Sequence, residues 1–157
     1  MDKKQLSTLL SHTIGNKVWK FSVGGGAGSI ITFEWGREII LTKENNKITP
    51  QKEGHGSFMI YCSWRVIKNS QIIISWKEDI SPNGLVVIGM SLLENQLVKS
   101  ILLTDDLDLF ISFDSGLQLQ VFCDEGINSE FDCNWFFRIE NTYYSVNNYG
   151  NIDKEIC

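Results

Sequence analysis

The segment LDLFISFDSGLQLQVFC, residues 107–123, decides the class of fold. Apolar and polar side chains alternate on both sides of Gly116, which is the pattern of two strands that each bury one face. Gly116 suits the tight turn between them, because glycine adopts a positive φ without the steric cost that other residues meet. The segment therefore predicts an antiparallel hairpin with one buried face.

A similar segment lies 80 positions earlier in the chain. Residues 31–36, ITFEWG, align with residues 111–116, ISFDSG, and apolar positions coincide for about 25 residues around them. We therefore predict an internal duplication, with one repeat at about 2–76, the other at about 81–146, and Gly36 in the earlier tight turn. The alternative is that two unrelated hairpins look alike because all amphipathic strands alternate.

Helices are predicted to be scarce. Asp2 is a suitable N-cap for a short helix whose apolar residues are spaced three and four apart. The segment 82–94 is ambiguous. A proline at its start favours a helix with Leu85, Ile88 and Leu92 on its apolar face, whereas its two glycines and its adjacent valines favour a strand.

The composition fits one folded domain over residues 1–157, since 43% of the residues are hydrophobic and only two are proline. We expect a mainly β (α+β) fold, in which two similar hairpin-containing repeats form antiparallel sheets with one or two short helices. The polar segment 43–56 is predicted to be a mobile loop. No apolar run reaches the roughly 18 residues that cross a bilayer, and residues 1–12 do not have the apolar core of a secretory signal. We therefore expect a cytoplasmic protein without a membrane partner, with its four cysteines as thiols.

The charges are distributed unevenly along the chain. Residues 1–99 contain 12 Lys or Arg and 8 Asp or Glu, whereas residues 100–157 contain 2 and 11. Like charges held close together repel one another, so the acidic half favours a surface that meets a basic protein partner. The alternative is a solvated face that keeps the protein in solution. Nucleic acid is not expected as a ligand, because binding a polyanion needs a basic stripe.

The predicted partner-binding surface combines acidic residues with one aromatic anchor. Trp76 lies beside two charged residues at a strand end, which favours exposure, whereas three of the other four tryptophans share the phase of their apolar neighbours. The predicted partner-binding residues are Asp105, Asp106, Asp108, Asp124, Glu125, Glu130, Asp132 and Trp76.

The sequence contains no motif that indicates catalysis, a cofactor or a metal. The glycine-rich segment 24–29 is followed by strand-like residues instead of the helix and the Lys-Ser/Thr pair of a phosphate loop. Cysteine and histidine spacing does not fit zinc, and the aspartates at 105–108 lack the glycine and glutamate of a calcium loop. Because no acid, base and nucleophile form a recognisable set, we expect a protein that is not an enzyme and holds no cofactor or metal.

Scattered residues over most of the chain carry a resemblance. Leu9-Leu10, Trp19, FEWG at 33–36, YCSWR at 61–65 and the hairpin over 113–124 resemble a group of small bacterial β-rich proteins of no settled function. In size, acidity and absence of catalytic groups, the chain is also similar to the single-domain immunity proteins that neutralise bacterial toxins. This second likeness is one of type, so it implies no particular binding residue.

These observations predict a non-catalytic binding protein of the bacterial cytoplasm. The leading interpretation is an immunity protein whose acidic C-terminal half covers the basic active site of a nuclease-like toxin. One alternative is a small-molecule binder or an enzyme with a Trp-lined pocket. Another is a structural or oligomeric module, including a homodimer that pairs open strand edges.

Overall fold

Antiparallel strands dominate the described part of the chain, which comprises residues 1–24, 28–41 and 51–156 of a computed structural model. Its two helices are α1 (Lys3–Leu10) and α2 (Leu85–Met90), and each continues into a 3₁₀ turn, Ser11–Thr13 and Ser91–Leu93. The strands are β1 (Val18–Val23), β2 (Ile31–Trp35), β3 (Ile39–Leu41), β4 (Gln51–Glu53), β5 (Gly56–Ile60), β6 (Ser63–Lys68), β7 (Gln71–Ser75), β8 (Val98–Leu103), β9 (Leu109–Phe113), β10 (Leu117–Phe122), β11 (Cys133–Ile139), β12 (Thr142–Asn147) and β13 (Ile152–Ile156). The prediction of a mainly β fold with short helices is confirmed.

The described strands form two large sheets and one small one. The six-stranded sheet has the order β1-β2-β5-β11-β12-β13, the five-stranded sheet has the order β7-β6-β10-β9-β8, and β3 pairs with β4 alone. The centre of each large sheet joins strands from opposite halves of the chain, because β5 pairs with β11 and β6 pairs with β10. Each half therefore completes the sheet that the other half begins.

One apolar core contains inward-facing side chains from both large sheets. It includes Phe33 and Trp135 of the six-stranded sheet and Trp64 and Phe113 of the five-stranded sheet, and each of these is at most 1% exposed. Side chains of this size remove a large apolar area from water, so the two sheets stabilise each other by burying their facing surfaces.

The hairpin predicted over 107–123 is present as β9 and β10. Gln118 pairs with Ser112, and Gly116 in the turn has a φ of +85°. Gly36 also has a positive φ, +79°, but it is not in a hairpin turn. The strand before it, β2, pairs with β1 and β5, whereas β3 after it pairs with β4. The prediction of a hairpin turn at Gly36 is therefore wrong.

A helix, a 3₁₀ turn and a pair of antiparallel strands occur in the same order twice. The first strands of the two units, β1 and β8, are 80 positions apart, whereas the second strands, β2 and β9, are 78 apart. Val18 pairs with Trp35 in the first unit. Val98 pairs with Phe113 in the second. The alignment of Phe33 with Phe113 is therefore displaced by two residues, and the duplication itself stays a prediction.

The ambiguous segment before β8 forms α2, but the helix faces the opposite way from the prediction. Leu85, Ile88 and Leu92 are 59%, 58% and 48% exposed. The side that meets the sheet contains Gly89, where an added Cβ would lie 2.5 Å from Cγ2 of Ile74. The smallest residue faces β7 because the strand approaches the helix too closely for a side chain.

Two predicted loops extend beyond the described residues. The glycine-rich segment 24–29 connects β1 to β2, and residues 25–27 lie outside the described part of the chain. In the polar segment 43–56, the described residues include β4, whereas residues 43–50 lie outside, so the prediction of mobility there is not tested.

Candidate functional site

Both acidic loops lie at one end of the five-stranded sheet. Loop 104–108 joins β8 to β9, and loop 123–132 joins β10 to β11. The end of β10 pairs with the start of β9, as in Val121 with Leu109, so the two loops are neighbours. They contain all seven predicted acidic residues and no Lys or Arg. We call these two loops, together with Trp76, the acidic end.

Three of the seven carboxylates have roles in the fold. Asp108 accepts a hydrogen bond at 2.8 Å from the backbone N–H of the residue that follows β10. Asp124 accepts one at 3.0 Å from the backbone N–H of Ser63 and another from the Ser63 hydroxyl. Asp105 is hydrogen-bonded to Lys3 of α1 and paired with its charge, which lowers the pKa of the Asp105 carboxyl. These three groups connect the acidic end to neighbouring elements.

Three other carboxylates have no such contact among the described residues. Asp106, Glu130 and Asp132 are exposed, and none of their carboxylates hydrogen-bonds or pairs with a charge among residues 1–24, 28–41 and 51–156. Glu125 is half-buried and belongs to the same loop as two of them. Asp106, Glu130 and Asp132 are therefore available to a basic surface that approaches this end.

Asn134 fixes the second acidic loop from the core side. Its side chain is 3% exposed, and its Oδ1 accepts a hydrogen bond at 3.0 Å from the backbone N–H of Glu125. Its Nδ2 donates to the carbonyl oxygens of Glu125 and Asn147 at 3.4 and 3.5 Å. A buried amide that is satisfied in this way holds the loop in place. Sequence reasoning missed Asn134, although its position between a cysteine and a tryptophan matches that of Ser63.

Trp76 lies beside the second acidic loop. It is 38% exposed and, with Asp124 and Glu125, lines a hollow of about 330 Å³ that also includes Phe131. The Lys77 ammonium lies 5.4 Å from the centre of the Trp76 ring, within the range of a cation–π contact. The structure therefore brings three of the eight predicted partner-binding residues around one hollow.

The remaining tryptophans do not gather around a surface site. Trp35, Trp64 and Trp135 are at most 1% exposed. Trp19 is half-buried, and its Nε1 donates a hydrogen bond at 3.0 Å to the carbonyl oxygen of Gly36. A pocket lined by several tryptophans, which one of the alternatives requires, is therefore not formed.

The thiols of Cys62, Cys123 and Cys133 are free and lie near the acidic end. A hydrogen bond with the Cys123 thiol, together with burial, raises the pKa of Cys62. Burial raises the pKa of Cys133 to about 11, and the charge of Asp132 adds to this effect. Because the thiolate is the nucleophilic form, the raised pKa values disfavour nucleophilic catalysis by Cys62 and Cys133.

Cys133 is expected to make the free energy of unfolding fall as pH rises from about 9 to about 11. Within this window the thiol ionises in the unfolded chain, where its pKa has the ordinary value of 9.0, but stays protonated in the folded chain. Ionisation then stabilises the unfolded state alone. Urea unfolding at both ends of this pH window should show a smaller decrease in the free energy of unfolding for Cys133→Ala than for the wild type. Equal losses in the two proteins would contradict the raised pKa.

A second concave surface lies on the outer face of the six-stranded sheet. It is a hollow of about 440 Å³ with Phe21, Met59, Phe136 and Tyr143 among its walls, and we call it the outer hollow. Sequence reasoning missed this surface. The available signal was the presence of large apolar residues, such as Met59 and Phe136, on the outward phase of strands whose other phase is buried.

An ion pair lies in the outer hollow. Arg138 Nη2 is 2.9 Å from Glu34 Oε2, and the two side chains are 11% and 16% exposed. Arg138 Nε also donates to the Ser57 hydroxyl at 3.1 Å, and Glu34 accepts a hydrogen bond at 3.0 Å from the backbone N–H of Gly54. The two charges are therefore held in fixed positions and compensate each other.

The other observations concern metals, membranes and known proteins. The described residues contain no group of three or more His, Cys, Asp or Glu side chains placed to hold a metal ion. Neither described helix has the length and apolar character that crossing a membrane requires. Comparisons with protein-family models, curated proteins and solved structures find no match. The chain's own surfaces therefore carry the functional argument.

Proposed function

We propose that this chain is a non-catalytic binding protein of the bacterial cytoplasm that docks a basic protein partner on its acidic end. The observation that carries the proposal is that the two loops flanking the β9–β10 hairpin, which contain seven carboxylates and no Lys or Arg, lie side by side at one end of the fold. Such a surface speeds the approach of a positively charged partner.

Apolar side chains at the same end provide contacts that charge alone does not supply. Trp76 is 38% exposed, and Ile127 in the second acidic loop is 64% exposed. Tyr149 is 72% exposed and lines a hollow with Asp132 and Ile127. Exposed aromatic residues surrounded by polar groups are typical of the side chains that contribute most to binding energy.

The specific role that we propose is immunity against a nuclease-like toxin. A nuclease active site is basic because it binds a polyanion, so an acidic surface of matching shape blocks it by occupying it. Inhibition by occlusion requires no catalytic group on the inhibitor.

The test compares two triple variants with the wild type. Asp106→Asn/Glu130→Gln/Asp132→Asn neutralises exposed carboxylates of the acidic end, and Asp114→Asn/Glu140→Gln/Glu155→Gln makes the same change in net charge at exposed sites elsewhere. Each protein is co-expressed with the products of the adjacent reading frames, and growth rescue and association rate are measured. We expect the first variant to associate roughly 10- to 100-fold more slowly and with a weaker dependence on salt.

The control variant is expected to retain the wild-type association rate, because its charges lie in turns and on a strand away from the acidic loops. Equal rates for the two variants would show that net charge, not the acidic end, governs association. If no adjacent product is toxic or binds the chain, the immunity role is wrong.

A further inference from the structure

We infer that the outer hollow binds a small planar aromatic molecule with a single negative charge. This site lies on the six-stranded sheet and is independent of the proposed function, although Tyr61 lines both the outer hollow and the hollow beside Trp76. Its volume, about 440 Å³, is within the range of small-molecule sites.

The first observation is that β1 is distorted to build one wall of the hollow. The pairing of β1 with β2 is irregular between Trp19 and Ser22, and Lys20 there has a φ of +55°. The Glu94 carboxylate accepts hydrogen bonds from the backbone N–H groups of Lys20 and Phe21, at 2.8 and 3.3 Å. Strand bulges often redirect side chains at functional sites, and a strained φ persists only where neighbouring groups hold it.

The positive φ distinguishes β1 from its counterpart. The equivalent strand β8 is also irregular, between Val98 and Ser100, but no residue of β8 has a positive φ. A bulge is therefore compatible with this fold without backbone strain. The strain at Lys20 accompanies the placement of Lys20 and Phe21 around the outer hollow.

The second observation is that the walls suit a flat ring. Phe21 stacks on Phe33 with ring centres 4.7 Å apart, so its position is fixed by the core. Phe136 and Tyr143 also line the hollow, and Met59 is 37% exposed within it. Aromatic rings and a methionine sulfur favour contact with another aromatic ring.

The third observation is the charge of the lining. Three charged side chains line the hollow: Arg138 and Glu34 compensate each other, and the third, Lys20, is positive, in a chain whose net charge is -5. The Glu53 carboxylate, 3.9 Å from Arg138 Nη1, is not part of the lining. Lys20 Nζ donates one hydrogen bond, at 2.9 Å to the carbonyl oxygen of Lys52, and an ammonium group has three donors. The remaining donors favour an anionic group such as a carboxylate or sulfonate on the ligand.

The test uses two fluorescent probes with nearly the same rings. Anilinonaphthalene sulfonate carries one negative charge, and phenylnaphthylamine lacks the sulfonate. We expect one molecule of the sulfonate to bind per chain with a Kd on the order of 10 μM, and the uncharged probe to bind at least about tenfold more weakly. Lys20→Met should reduce sulfonate affinity to that of the uncharged probe.

Two further variants distinguish the outer hollow from other apolar surfaces. Phe21→Ala removes a wall of the hollow, whereas Phe110→Ala removes a half-buried ring from the five-stranded sheet. We expect at least a tenfold loss of sulfonate affinity for Phe21→Ala and no change for Phe110→Ala, with near-ultraviolet circular dichroism confirming that both are folded. Glu94→Gln, which weakens the clamp on the bulge, should weaken the binding of both probes.

Several outcomes would overturn the assignment. One is that wild type and Phe21→Ala bind the sulfonate with equal affinity, and another is that the two probes bind the wild type equally well. A third is that sulfonate affinity falls as protein concentration rises, which would mean that a second copy of the chain covers the hollow. The triple variant of the acidic end should bind the sulfonate like the wild type. This result separates a failure here from a failure of the proposed function.

Discussion

Replacing Trp135 with alanine is expected to lower the free energy of unfolding by about 4 kcal/mol. The side chain is fully buried in β11, at the centre of the six-stranded sheet. Its Nε1 donates a hydrogen bond at 3.1 Å to the carbonyl oxygen of Leu107, in the first acidic loop. The substitution therefore leaves a large cavity and removes one of the two hydrogen bonds to the Leu107 carbonyl, which keeps only the Cys123 thiol at 3.2 Å, so it loosens the acidic end from inside.

Urea unfolding measures this loss, and two variants control for it. Trp135→Phe keeps most of the ring volume and removes the hydrogen bond, so it should lose less than the alanine variant. Trp76→Ala removes a tryptophan that is 38% exposed and should cost less than about 1 kcal/mol. A loss for Trp135→Ala as small as that for Trp76→Ala would mean that the core is packed differently.

Gly56→Ala is expected to lower the free energy of unfolding by about 3 kcal/mol or more. A Cβ at Gly56 would lie 2.2 Å from the carbonyl oxygen of Arg138 and 2.4 Å from Nε1 of Trp35. Both atoms belong to strands that pair with β5, so neither moves without displacing a sheet neighbour. The added methyl group should therefore separate β5 from β11 or β2.

The matched control is Gly126→Ala, where an added Cβ meets nothing within 4 Å. Urea unfolding should show a change of less than about 0.5 kcal/mol for this variant. Sulfonate binding provides a second readout, because Ser57 and Met59 of β5 line the outer hollow. Gly56→Ala should bind the sulfonate more weakly and also have a lower free energy of unfolding. Equal stabilities for the two glycine variants would contradict the close approach at Gly56.

The parts of the fold that were predictable from sequence are those with local causes. The hairpin of β9 and β10 was predictable because alternation and Gly116 act within about 15 residues. The pairing of β5 with β11 was not, because alternation tells which face of a strand is buried and not which strand lies beside it. The orientation of α2 was missed for a related reason. Gly89 lies against Ile74, and packing at that contact overrides the apolar stripe.

The candidate site divides in the same way. The distribution of charge along the sequence indicated the acidic end, because carboxylates stay at the protein surface in any fold unless a buried partner compensates their charge. The sequence did not show which of these carboxylates stabilise the fold. The hydrogen bond between Asp124 and Ser63, for example, joins residues 61 positions apart. The outer hollow was missed because the irregular pairing around Lys20 interrupts the alternation of β1, and the Glu94 carboxylate that holds this bulge lies 74 positions away in sequence.

The exchange of strands between the two halves has a consequence for biosynthesis. While the ribosome is still making the C-terminal half, β5 and β6 have emerged with one edge each and no strand to pair with. A second nascent or refolding chain offers the same missing strands. Reciprocal swapping between two molecules would reproduce every native pairing, so interlocked dimers are the expected by-product of refolding at high concentration.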